Sequence, residues 1–268
     1  VKRRRRLLTF LVILALCYAG LCVLGRLGYR ALLYPAPRQD LTPDPPSAEK
    51  LSVVAADGTR VHALLIASGP VTIVFFHGNG EVIGDDLWLA EQMSARGFST
   101  VLVEYRGYGR SAGSPSEAGL YADAEAVFAE LARRGTGPQN VVLWGQSLGT
   151  GVAAEMARRG HGAKLVLISP YTSIPDVGAA VMPWLPVRLL VADRFATREK
   201  APSLTLPSLI VHGTADQVVP FAMGEELSRV LPACTFVPVS GGRHEDLFLR
   251  GGAGLLDRIA AFAHDSAR

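Results

Sequence analysis

Cysteine is scarce. Three occur in 268 residues, and two of them, Cys17 and Cys22, fall in an N-terminal apolar run. Cys234 is alone in the body of the chain, so an internal disulfide framework is excluded and stability has to come from packing. No His and Cys cluster has metal-ligand spacing, and neither a metal nor an organic cofactor is expected. Basic density is also missing beyond the start of the chain. The net charge is +3, yet Lys2, Arg3, Arg4, Arg5 and Arg6 alone carry five positive charges, which leaves the remainder slightly acidic. A nucleic-acid binder needs its Lys and Arg on the folded domain, so nucleic acid is not an expected partner. Internal repeats are absent, and a chain of this length can bury one large core.

What the N-terminus does have is an uncharged stretch. After the basic residues 1–6, "LLTFLVILALCYAGLCVLG" runs from Leu7 to Gly25 without a charge. At about 1.5 Å rise per residue it nearly crosses a hydrocarbon layer of roughly 30 Å. A retained transmembrane anchor is the expectation for 7–25, with a cleaved signal peptide or lipoprotein signal as the alternative. Leu precedes both Cys17 and Cys22, where processing prefers a small residue. Five Lys or Arg come before the span, whereas Arg26, Arg30 and Arg38 follow it more sparsely. That asymmetry predicts a cytoplasmic N-terminus and an extracytoplasmic body. Proline in "LLYPAPRQDLTPDPPSAEK" then argues for an extended linker, taken as 26–50, because proline fixes φ and supplies no backbone donor.

From Leu51 onward strands and helices alternate. Two β-type runs flank Asp57-Gly58, a hairpin signal, so an antiparallel pair leads the fold. "VTIVFF", "STVLVEY", "NVVLWG", "KLVLIS", "LPSLIVHG" and "CTFVPVS" are short continuous apolar runs of the kind found in strands covered on both faces. Helical patterns fall between them, which indicates βαβ units, an α/β fold with a mostly parallel sheet and helices on both faces. The stretch 170–204 breaks this rhythm. It is apolar, punctuated by Pro183 and Pro186, and fits a lid insertion.

Ligands of such sheets meet the loops beyond the carboxyl ends of the strands. There, Gly145-Gln146-Ser147-Leu148-Gly149 is G-x-S-x-G between a strand and a helix. A serine that merely caps a helix needs no partner; a nucleophilic serine needs a base to take its proton and a carboxylate to hold that base. In this topology the acid and then the histidine follow the serine. Of six histidines, His244 lies in the loop after the last strand and is the expected base, with His212 a weaker candidate. Asp216, in the loop after a buried strand, is the expected acid, ahead of Asp193 in the lid and Asp246 beside the histidine. "HGNG" at 77–80 follows an early parallel strand, so the backbone N–H of Asn79 can pair with that of Leu148 as oxyanion donors. Removing one such donor costs roughly 3 to 4 kcal/mol of transition-state stabilisation. Tyr105, Arg106 and Tyr108 in "YRGYGRSAG" fit a rigid turn better than a substrate contact.

"HGNG", "EYRGYGRSAGSPSEAGLYADA", "GQSLG", "HGTADQVVP" and "GGRHED" together resemble the membrane-anchored branch of the α/β-hydrolase superfamily that includes eukaryotic protein depalmitoylases and bacterial relatives. The single span followed by "ALLYPAP" is similar too. The resemblance covers 51–268 and implies an eight-stranded sheet and hydrolysis of an ester or thioester through an acyl-enzyme on Ser147. It departs at Glu245, where that family often has Asn, which touches substrate detail more than chemistry.

Val181, Met182, Trp184, Leu185, Val187, Leu189 and Leu190 make the lid apolar enough to shelter an acyl chain, touch a bilayer or simply pack over the sheet. A small-molecule or lipid acyl ester or thioester is the expected substrate. A peptidase of prolyl-oligopeptidase type and a non-catalytic binding scaffold are the alternatives, and the scaffold would require a missing member of the Ser147, Asp216, His244 set.

Overall fold

A computed structural model describes residues 2–38 and 44–265. Helix α1 (Lys2–Leu33) carries the basic start and the apolar run, with an 18-residue window of mean hydropathy 2.7 that is nowhere buried in the protein. The helix does not stop at Gly25. It continues through the first eight residues of the expected linker because Tyr29 and Tyr34 pack into the body and Arg30 meets Asp193 at 2.9 Å. Residues 39–43 of that linker lie outside the described residues.

The sheet has eight strands, β1 (Ala48–Val54), β2 (Arg60–Ile66), β3 (Val71–Phe76), β4 (Phe98–Val103), β5 (Val141–Gln146), β6 (Lys164–Ile168), β7 (Ser208–Gly213) and β8 (Cys234–Val239). Their order is β1-β2-β4-β3-β5-β6-β7-β8. β2 pairs antiparallel with both β1 and β4, and all other pairs are parallel. The leading hairpin turns at Asp57-Gly58, where Gly58 adopts φ +83° and Asp57 accepts the Thr59 N–H.

Alternating side chains of each strand reach opposite faces. Val74, Phe76, Val101, Leu143, Leu167 and Ile210 pack under α3 (Glu117–Arg133), α4 (Gly149–Arg158) and α8 (Phe221–Val230). Ile73, Phe75, Leu102, Val142, Trp144 and Val166 pack under α2 (Leu87–Ser94) and α9 (Leu247–His264). Coverage on both faces is why these strands read as unbroken apolar runs. The insertion after β6 folds as α5 (Ile174–Val181), α6 (Val187–Leu190) and α7 (Thr197–Lys200).

The β4–α3 loop is built round an ion network. The Arg106 guanidinium donates to Asp123 at 2.7 Å and to Asp57 at 2.6 Å, and the Asp123 side chain is fully buried. Burial pushes the Asp123 carboxyl up even though Arg106 opposes it. Arg106→Ala would leave that carboxylate without its partner, and a stability loss of about 3–5 kcal/mol is expected. A thermal melt checks it; an unchanged midpoint would mean the network contributes nothing.

Candidate active site

Register brings the loops together. In the β3–β5 pair Phe76 stands opposite Gly145, so the His77–Gly80 loop and the turn at Ser147 leave the same edge side by side. In the β5–β6 pair Gln146 faces Ile168, and the Ser147 N–H donates to the Ile168 carbonyl at 2.9 Å. Ser147 takes φ +47°, a left-handed conformation that side chains other than glycine rarely adopt. The turn is sharp because its flanks are bare. A Cβ on Gly145 would lie 2.4 Å from the Gly149 carbonyl oxygen, and one on Gly149 would lie 2.0 Å from that of Phe76. The strained turn lifts the Ser147 hydroxyl clear of the sheet at the N-terminal end of α4, where backbone N–H groups and the helix dipole favour negative charge.

Asp216 and His244 arrive from the next loops. Gly213 pairs with Val239 at the ends of β7 and β8, and beyond them the loops are stitched together. Thr214 N–H donates to Val239, Ala215 N–H to Gly242, and Gly241 N–H to the Thr214 hydroxyl at 2.8 Å. Arg243 N–H donates to Asp246 and fixes the turn that carries His244. The result is a continuous chain of contacts. Asp216 Oδ2 lies 2.8 Å from His244 Nδ1, and His244 Nε2 lies 2.9 Å from Ser147 Oγ.

The acid is strongly held. The other carboxylate oxygen of Asp216 accepts the backbone N–H groups of Val218 and Val219, both at 2.9 Å. His212, wholly buried, comes within 3.3 Å of Asp216 Oδ2 and 3.0 Å of the Val219 carbonyl through Nε2. Both partners are acceptors, so that nitrogen carries a proton. Burial by itself would raise the Asp216 carboxyl; the hydrogen bonds from His212, His244 and Val219 outweigh it and hold the group well below the usual carboxylate range. The side chain is a charged acceptor with no exposure to solvent, while His244 keeps 15% of its own.

The competing acids sit elsewhere. Asp193 is engaged with Arg30, and Asp246 with Arg250. His212 stands behind the acid rather than next to the serine. Glu245 is exposed beside His244.

The His77–Gly80 loop is held by the tyrosines of the expected rigid turn and by Glu81 and Glu104, which sequence reasoning missed. Glu81 accepts the Gly78 N–H at 2.6 Å and reaches Gln146 Nε2 at 3.3 Å, so it bridges this loop and the serine turn. Gly78 N–H is therefore taken, whereas neither the Asn79 nor the Leu148 N–H donates to any described residue. Tyr105 donates its hydroxyl proton to the His77 carbonyl at 2.9 Å, and Tyr108 Oη lies 3.1 Å from Asn79 Oδ1. Both rings are fully buried, as the reading of a rigid turn expected. His77 itself faces Glu104 at 3.3 Å. Burial opposes the His77 cation, yet the Glu104 carboxylate prevails and raises it above the ordinary histidine value. The only sequence signal for this arrangement was adjacency, Glu81 following "HGNG" and Glu104 standing next to last in the "STVLVEY" run.

Among the described residues no group of three or more His, Cys, Asp or Glu could hold a metal ion. What the edge of the sheet offers is one hydroxyl, one imidazole, one buried carboxylate and free backbone donors.

Comparison with known proteins agrees with this architecture. Residues 70–197 match the family described as serine aminopeptidase, S33. An uncharacterized protein of Mycobacterium tuberculosis is 33% identical over 275 aligned residues, covering 99% of this chain and 98% of that protein. Human alpha/beta hydrolase domain-containing protein 17B is 34% identical over 219 residues, covering 76% of this chain and 71% of its own. Among solved structures, an esterase of Pyrococcus furiosus superposes with a TM-score of 0.72 at 16% identity, covering 85% of this chain and 97% of that one. At that identity the likeness concerns the fold alone. The sheet order, the serine turn at its edge and the 34% identity to the human protein over 76% of this chain converge: the chain belongs to the α/β-hydrolase superfamily.

Proposed function

We propose that this hydrolase is a membrane-anchored serine enzyme that cleaves carboxylic ester or thioester bonds of fatty-acyl substrates through an acyl-enzyme on Ser147. The observation that carries the reading is the unbroken Asp216–His244–Ser147 chain at 2.8 and 2.9 Å, with the serine raised on a strained turn. His244 Nε2 takes the Ser147 proton as Oγ attacks the acyl carbon. The backbone N–H groups of Asn79 and Leu148 receive the oxyanion. The leaving alcohol or thiol departs with the proton from His244, and water, deprotonated by the same imidazole, then releases the acid. Asp216 keeps Nδ1 protonated and offsets the charge that develops on the ring.

Anchoring selects acyl chains over soluble esters. The uncharged window of α1 is long enough to cross a bilayer, and the Lys and Arg asymmetry supports a body outside the cytoplasm. The match to a family described as a serine aminopeptidase favours one second reading, amide cleavage by the same residues. Labelling with a fluorophosphonate, followed by turnover of p-nitrophenyl esters of graded acyl length beside an S-acyl peptide and a peptide anilide, separates the two. Modification at Ser147 with turnover rising toward longer acyl chains is the expected result. Failure of the folded protein to label at Ser147 overturns the mechanism, and preference for the anilide overturns the substrate class.

A further inference from the structure

The anchor helix is not a free tether. Its contacts with the body run along one side from the middle of the apolar run to its end. Tyr18 donates its hydroxyl proton to the Trp184 carbonyl at 2.9 Å, and Arg26 reaches the Leu190 carbonyl at 3.4 Å. Gly25 lies so close to Leu190 that a Cβ would stand 3.3 Å from its Cδ1. Arg30 pairs with Asp193, whose side chain is almost buried. Past the helix, Pro35 packs on Gly80 of the His77–Gly80 loop, and the Pro37 carbonyl accepts the Gly109 N–H.

The insertion therefore has a fixed height relative to any membrane that α1 crosses. Tyr18 lies seven residues inside Gly25, about 10 Å along the axis. Trp184, held at the level of Tyr18, comes that much deeper than Leu190, held at the level of Gly25. The side chains of this segment are also sorted. Val187 turns inward and is buried, whereas Val181, Trp184 and Leu189 are 63%, 59% and 80% exposed. These three are too exposed to shelter an acyl chain over the serine, and the segment that carries them lies against α1, whose own apolar side chains are exposed. Arg26 and Arg30, just past the apolar run, sit where phosphate headgroups begin.

We propose that Val181, Trp184 and Leu189 form a second membrane contact, seated in the leaflet on the body's side next to the anchor, so that the Ser147 mouth is held at the bilayer surface. The inference rests on the anchored reading under the proposed function and adds where the insertion lies. An apolar element of this depth matches the roughly 5–10 Å by which interfacial segments enter the headgroup and acyl boundary. The mouth follows from the same rod. From Gly25 to the helix end at Leu33 is about 12 Å of axial rise, and Pro35 then touches the loop that carries Asn79. A substrate whose acyl chain stays in the bilayer needs to lift its carbonyl only about that far.

Tryptophan emission tests this in the full chain reconstituted into phosphatidylcholine–phosphatidylglycerol vesicles with acyl-brominated lipid. Trp144 is fully buried and Trp88 packs on Phe248 at the opposite face of the sheet, so Trp184→Phe should abolish most of the quenching seen in the wild type. A second variant, Trp184→Lys with Leu189→Glu, should hydrolyse p-nitrophenyl acetate in solution at the wild-type rate. The same variant should lose on the order of tenfold against a long-chain ester embedded in the vesicles. Quenching unchanged in Trp184→Phe overturns the inference, as does an equal loss on both substrates. Carbonate extraction separates the premises. A chain released from the vesicles overturns the anchor and the lid contact together, and a retained chain with unquenched Trp184 overturns the lid contact alone.

Discussion

Ser147→Ala is expected to lower kcat by on the order of 10⁴- to 10⁶-fold, with the fold intact. Among the described residues the hydroxyl meets one polar partner, His244 Nε2 at 2.9 Å, so its removal breaks nothing that supports the sheet. What disappears is the atom proposed to form the acyl-enzyme. The residual rate reflects binding and oxyanion donors acting on water. Ser147→Gly sharpens the result. The residue sits at φ +47°, which costs an L side chain on the order of 1 kcal/mol that glycine does not incur. The glycine variant should therefore be equally inactive but slightly more stable than Ser147→Ala. Thermal melts beside ester turnover check both halves. Turnover within tenfold of wild type in Ser147→Ala would move the nucleophile elsewhere, and a glycine variant less stable than the alanine one would contradict the strain.

The parts of this site that were legible in the sequence are the parts whose cause is local. "GQSLG" announces a tight turn because only bare glycines pass the Gly149 and Phe76 carbonyls, and the buried strands announce themselves because both faces are covered. Chain order, together with a place in the loop just past a strand, set His244 and Asp216 apart from their rivals. Contacts between loops were not legible. His212 lies four residues before Asp216, yet nothing in "HGTAD" says that its ring turns under the β7 edge to meet the carboxylate. Glu81 bridges to Gln146 across 65 positions, and the Arg30–Asp193 pair that prolongs α1 into the expected linker spans 163. Such pairs exist only once the sheet has set the register.

Asp216→Asn is expected to cost about 10⁴-fold in turnover, and the reason is tautomeric rather than steric. Two backbone N–H groups, from Val218 and Val219, point at one oxygen of the side chain and fix the carbonyl of an asparagine there. Its amide NH₂ then faces His244 Nδ1, where the carboxylate had accepted. The ring can satisfy that donor only by accepting at Nδ1 and carrying its proton on Nε2, which presents a proton to Ser147 instead of a lone pair. His212 Nε2, also a donor, meets the same NH₂ and is left with the Val219 carbonyl alone. Unmet buried donors of this kind cost about 1–3 kcal/mol, so the variant should also melt earlier. The pH dependence follows from the direction of the shift. Folding lowers the Asp216 carboxyl, so its stabilising contribution is complete above the unfolded value near 3.9 and is lost as the pH falls toward the lower folded one. The gap in melting temperature between wild type and Asp216→Asn should be widest near pH 7 and begin to close below about pH 4. A constant gap from pH 7 to pH 3, or turnover within tenfold of wild type, would show that Asp216 does not hold the imidazole as its contacts imply.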